Sequence, residues 1–298
     1  MKKMSKGLAL VMALVMVVLT GCSYKDTYRY QYADKWESPF ELAYEDGTPI
    51  ELQDDKELDK LLEECKDMIN ETDMKELYPY FNWELLEKAE ICHSKGVKLK
   101  SGEARTEGMD AKYFVKLNKV LVFPVCSEYE EDYLKTLILH ELMHTLTYSE
   151  EAVKLQIWEG VADFFAGQIS NLNALPFKLQ YQYEVLYLTQ LFTVFGEVET
   201  QKMIFDGELA NKLDELTKEG MSEKFNSALA ILSSFYEIYG NLSDTETAEE
   251  LVKVIQDVMC HMTANYCEEL EEEERAAILE SFKGMLIIDD SYFEKLLE

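Results

Sequence analysis

Basic residues are scarce in this chain. Against 58 aspartates and glutamates stand only 29 lysines and arginines, for a formal net charge of −29. An acidic excess of that size repels phosphate backbones and anionic headgroups, which argues against nucleic acid as a partner and keeps the chain soluble. Histidine is scarcer still, four in 298 residues. None of the six cysteines has C-x-x-C spacing, so a zinc site of the finger type has no support. With Cys22 set aside, Cys65, Cys92, Cys126, Cys260 and Cys267 are an odd set that cannot all pair within one molecule. Mostly buried free thiols are the expectation. Cys260 and Cys267 fall two turns apart on an expected helix, roughly 10 Å by helix rise, too far for a bridge without a break. No internal repeat is present. Long apolar runs are also missing, with one exception at the start.

That exception is Gly7 to Thr20, preceded by the basic stretch Met1-Lys2-Lys3-Met4-Ser5-Lys6. It has the layout of a signal peptide over residues 1–21 and is shorter than the roughly 20 apolar residues a membrane span needs. Its end, Leu19-Thr20-Gly21-Cys22, resembles a bacterial lipobox. The resemblance implies cleavage before Cys22, lipidation of its thiol and attachment to the outer face of the cytoplasmic membrane. The other reading is an uncleaved anchor helix, and both export the remainder. Loss of the leader removes three lysines and no acid, taking the formal charge from −29 to −32. Residues 22–50 read as a tether, rich in Tyr, without a clear period and interrupted by Pro39, Gly47 and Pro49. Residues 51–298 offer enough material for one large core, read as a single unit.

Two of the four histidines fall in His140-Glu141-Leu142-Met143-His144. On a helix, residues i and i+4 share a face, so both rings can address one cation. Glu141 lies about a quarter turn aside, placed to take a proton from a water that such a cation polarises. The flanks from Tyr133 to Tyr148 are apolar on nearly every side, which predicts a buried helix. Ser127 and Glu130 read as the capping box that starts it. Buried imidazoles and a carboxylate cost on the order of several kcal/mol unless paired, and a metal ion is the economical partner. Structural histidines inside a helical core are the competing interpretation.

Downstream, Trp158-Glu159-Gly160-Val161-Ala162-Asp163-Phe164 is again helical in pattern. Glu159 is the candidate third ligand. Asp163 follows it by four residues on the same face and can accept the second ring N–H of a ligand histidine. These residues resemble the gluzincin zinc metallopeptidases, in which H-E-x-x-H is followed by E-G-x-A-[DE]-[FY]; the match covers about residues 112–172. The resemblance implies one Zn2+ per chain held by His140, His144 and Glu159, with Glu141 as general base, Asp163 as the group orienting a ligand, and a peptide or protein substrate. The spacer between His144 and Glu159 is short, without the long insert of some relatives. The metzincin pattern is excluded because residue 150 is Glu. A lipoprotein that keeps the fold and metal as a catalytically silent binding or scaffold module is the alternative.

Around this core the expected fold is α+β and mainly α: a small β-sheet with a zincin-type metal helix, then a helical C-terminal lobe over about 173–298. Residues 52–70 and 73–94 read as amphipathic helices, with Leu58, Leu61, Leu62, Cys65 and Met68 on one stripe and His93 as a C-terminal cap. A polar loop spans Gly96 to Gly108. Tyr113–Leu117 and Val120–Phe123 read as strands around an Asn118-Lys119 turn. In gluzincin-like domains an edge strand holds the substrate backbone, and Val120–Phe123 is the candidate, with an ordinary packed hairpin equally open. Helices are expected at about 177–195, 199–217, 221–240, 246–266, 270–284 and 290–297. A partner for the developing oxyanion would come from this lobe, where His261, Tyr236, Tyr239 and Tyr266 are named without preference.

Overall fold

The computed structural model describes residues 52–94, 111–114, 117–122, 130–152, 155–239, 246–287 and 291–297. The leader, Cys22, the tether, the 96–108 loop, Phe123, Cys126 and the Ser127 cap lie outside them. Among the described residues the fold is α+β and mainly α, with twelve helices and one four-stranded sheet. No helix among them is long and apolar enough to cross a membrane. The chain divides into two compact units.

The first unit takes Met1–Asp73, Asn82–Leu146 and Phe165–Lys178. Its sheet is built from β1 (Leu52–Gln53), β2 (Glu90–Ser94), β3 (Ala111–Phe114) and β4 (Lys119–Val122), in the order β1-β2-β4-β3. β2 and β4 are parallel, and the two outer pairings are antiparallel. Asn118 turns the chain from β3 into β4 at a φ of 48°, a left-handed conformation that Asn tolerates better than most side chains. Helix α1 (Lys56–Asn70) starts where the Asp55 side chain accepts the Glu57 amide at 2.8 Å. It buries Leu58, Leu61, Leu62, Cys65 and Ile69 against β2 and α4 (Glu131–Leu146). Lys66 is also buried. Its Nζ donates to the Ala89 carbonyl at 2.8 Å and to Glu63 Oε1 at 2.8 Å, which satisfies the end of the short helix α3 (Trp83–Lys88) and offsets the burial of a charge.

Three expectations are corrected here. Residues 73–94 are not one helix but α2 (Met74–Leu77), α3 and strand β2, because Pro79 cannot continue a helix and Glu90–Ser94 finds a strand partner in β4. His93 therefore stands in β2, paired with Val122, and not at a helix C-terminus. Residues 52–53 are strand, so the first helix begins later than read. Finally, β4 is paired on both sides, so Val120–Val122 of the expected Val120–Phe123 edge cannot receive an added strand; among the described residues the edge facing away from β2 is β3.

The second unit takes Met74–Phe81, Thr147–Phe164 and Leu179–Glu298. Helix α5 (Trp158–Leu172) contributes its first residues here and the remainder to the first unit. The unit is a helical assembly of α6 (Gln182–Phe195), α7 (Glu197–Asp206), α8 (Leu209–Leu216), α9 (Met221–Tyr239), α10 (Glu246–Glu268), α11 (Glu272–Lys283) and α12 (Ser291–Leu297). Leu188, Leu191, Phe225, Leu229, Ile255, Met259, Phe282 and Phe293 fill its core. The helix expected over 199–217 is two, because Gly207 takes a φ of 72° as the left-handed cap of α7. Cys65, Cys92, Cys260 and Cys267 are all buried free thiols. Burial pushes the Cys65 and Cys260 thiols up to about 12 and that of Cys92 up to about 11.

Candidate metal centre

Helix α4 carries the histidines, and it is buried almost all round: Ile138, Leu139 and every residue from Glu141 to Leu146 are below a tenth exposed. The helix packs on α1, α3, β3 and β4. Lys135 bonds Glu64 of α1 at 2.9 Å and its own Glu131 at 2.8 Å, which fixes the helix along its partly exposed side. Those carboxylates hold the Lys135 ammonium well above its ordinary pKa.

His140 and His144 stack on one face as their spacing requires. Their Nε2 atoms lie 3.1 Å apart, with the rings nearly perpendicular at 85°. The carboxylate of Glu159, in the first turn of α5, joins them: one ligand atom from each of the three residues lies within 4.8 Å of the others. His144 is buried, while His140 and Glu159 are half-buried. The donor set passes a chemical test for a zinc ion. Two nitrogens on a tetrahedral ion at about 2.1 Å sit about 3.4 Å apart, close to the observed approach. Two facing imidazole nitrogens repel unless a proton or a cation lies between them.

Glu141 stands beside this face. Its Oε2 accepts the backbone N–H of Tyr113, on the edge strand β3, at 2.5 Å. An N–H spent on a carboxylate is not spent in the ladder, so it faces away from β4. Asp163 is almost fully buried, and its Oδ2 accepts the backbone N–H groups of Gln180 and Tyr181 at 2.7 and 2.8 Å. Those amides lead into α6, whose exposed N-terminal donors favour an anion. Asp163 therefore ties α5 to the start of α6.

Three features that sequence reasoning missed hold the first turn of α5. Gly160 lies against the α6 backbone: a Cβ there would stand 2.4 Å from Glu184 Cβ and 2.6 Å from the Glu184 carbonyl carbon. Glycine after Glu159 was in plain view, but what it packs on was not. The Trp158 indole N–H donates to Thr147 Oγ1 at 3.0 Å. Ser149 Oγ donates to the Phe205 carbonyl at 3.0 Å and accepts the Ala152 N–H at 2.9 Å, fastening the spacer to the end of α7.

Of the residues named for the oxyanion, Tyr266 packs edge-on against Phe195 with ring centroids 4.9 Å apart, and burial raises its pKa. His261 lies 4.0 Å from Asp257 on the outer side of α10. Tyr236 and Tyr239 lie on α9, with side chains outside the described residues. No known protein family, curated protein or solved structure matches this chain.

Proposed function

We propose that the chain is an exported, lipid-anchored zinc metallopeptidase of gluzincin type, hydrolysing peptide bonds. The observation that carries the reading is the convergence of His140, His144 and Glu159 on one point from two helices, with Glu141 beside it. Zinc held there would supply Lewis acidity, bringing the pKa of a coordinated water toward neutrality. The chain's own part is then divided. His140 and His144 present neutral ring nitrogens, and Glu159 brings a negative charge that offsets part of the cation's. Glu141 takes the proton of the attacking water at its carboxylate and returns it to the leaving amine. Asp163 keeps the start of α6 against α5 and in the gluzincin reading also orients a ligand histidine. Export and attachment through Cys22 rest on the leader sequence alone.

A second reading, a silent module that keeps the metal for binding, draws on one observation: Glu141 Oε2 is already engaged by the Tyr113 amide. The readings separate by experiment. Elemental mass spectrometry on the full chain, purified without chelator or metal-affinity tag, should find about one zinc per chain. His140→Ala and Glu159→Ala should each lose most of it. A parent that takes up no zinc at neutral pH removes both readings. A parent that holds zinc yet cleaves no peptide in a diverse library favours the silent module.

A further inference from the structure

The hydrogen bond between Trp158 and Thr147 spans the spacer between the second histidine and the third ligand. Thr147 is the residue that follows α4, and Trp158 is the residue that precedes Glu159. The indole N–H to Oγ1 distance is 3.0 Å, and Thr147 is 1 % exposed. The bond therefore closes the spacer into a ring at its two ends. A flexible spacer of this length would have to be ordered each time the donors converge, at an entropic cost that grows slowly with its length. A ring already closed has met that cost in the folded apo chain. The other contacts of the spacer act along its middle: Ser149 on the Phe205 carbonyl, and the Glu151 side chain against Gly207, where an added Cβ would stand 2.8 Å from Glu151 Cγ. The Trp158–Thr147 bond acts on the residue next to Glu159 and joins it to the residue that follows α4.

We infer that Thr147 and Trp158 are a positioning pair that preorganises Glu159 for the metal, and that their hydrogen bond sets zinc affinity. The inference rests on the zinc reading above and adds a determinant that touches neither metal nor substrate. It is not a matter of core filling, because Val in place of Thr147 keeps the volume while removing the acceptor.

Zinc competition against a chromophoric chelator, on the full chain, tests the pair through Thr147→Val, Thr147→Ser, Trp158→Phe and the double variant Thr147→Val/Trp158→Phe. The melting of each apo form is measured beside it. Loss of one hydrogen bond of ordinary strength should weaken zinc binding about tenfold in Thr147→Val and in Trp158→Phe. Thr147→Ser should bind as the parent does, and the double variant should be no weaker than the singles, because both remove one bond. Unchanged zinc affinity in Thr147→Val beside a lowered apo melting temperature would overturn the inference and leave the bond a purely structural one. Multiplying losses in the double variant, or no rescue by Ser, would overturn it too. A parent with no zinc affinity overturns the metal reading, and this inference with it. A parent that binds zinc while Thr147→Val matches it overturns this inference alone.

Discussion

Helix α4 and the first turn of α5 carry the three candidate ligands and are held in different ways. α4 is fixed largely by bulk: Ile138, Leu139, Leu142, Met143 and Leu146 are fully buried. The start of α5 also buries Val161 and Ala162, and adds specific contacts: a close backbone approach at Gly160, the Trp158–Thr147 bond and, one turn on, the two amides on Asp163. Damage to the first should therefore appear as lost stability and damage to the second as lost geometry.

The sharpest probe of the α4 side is Glu141→Gln. The amide oxygen can still accept the Tyr113 N–H, so fold and zinc content should stay as in the parent while peptide hydrolysis falls by roughly 10²–10⁴. A variant as active as the parent removes Glu141 as general base. Next in size is Leu142→Ala, expected to cost about 2–5 kcal/mol in denaturant unfolding because the surrounding core closes only partly over the gap. Zinc affinity of the fraction that remains folded should be unchanged; a large loss of affinity would erase the contrast. Gly160→Ala reverses the pattern. The added methyl overlaps Glu184 of α6, so about 1–3 kcal/mol of stability should be lost together with a clear weakening of zinc binding. Unaltered zinc binding would mean that α5 yields without moving Glu159.

The smallest effect is one of pH and concerns both units alike. Burial holds Cys65 and Cys260 near 12 in the folded chain, whereas an unfolded thiol titrates at about 8.5. The raised folded value contributes stability that is fully present below about pH 8.5 and is lost as pH rises toward 12, by at most about 1.4 kcal/mol per pH unit for each thiol. Melting temperatures between pH 8 and pH 10.5 should fall less steeply in Cys65→Ala than in the parent, after allowance for the cavity; equal slopes would contradict the burial.

Much of the helical content was legible because each helix carries its own period or its own stop: the helices over 221–239 and 246–268 lie almost where apolar spacing puts them. The Asn118 turn announced the β3–β4 hairpin. What failed depended on partners distant in sequence. Glu90–Ser94 is a strand because β4 lies beside it, and nothing local says so. Gly207 divides a helix that period alone would run through. At the site, His140 and His144 were legible because one helix turn brings them together. Glu159 was named by analogy of pattern; that its carboxylate lies within 4.8 Å of the histidine nitrogens belongs to the fold. Thr147 and Trp158 were illegible: each is an ordinary residue until the spacer folds back.

The carboxylate of Glu141 also does something unrelated to hydrolysis. Among the described residues strand β3 ends the sheet, and an end strand with idle amides invites pairing with the same strand of another molecule, the first step of aggregation. Glu141 occupies the Tyr113 amide with a charged group that a second chain would have to displace. The residue proposed to deprotonate the attacking water thus also makes this border of the sheet inhospitable to its own kind.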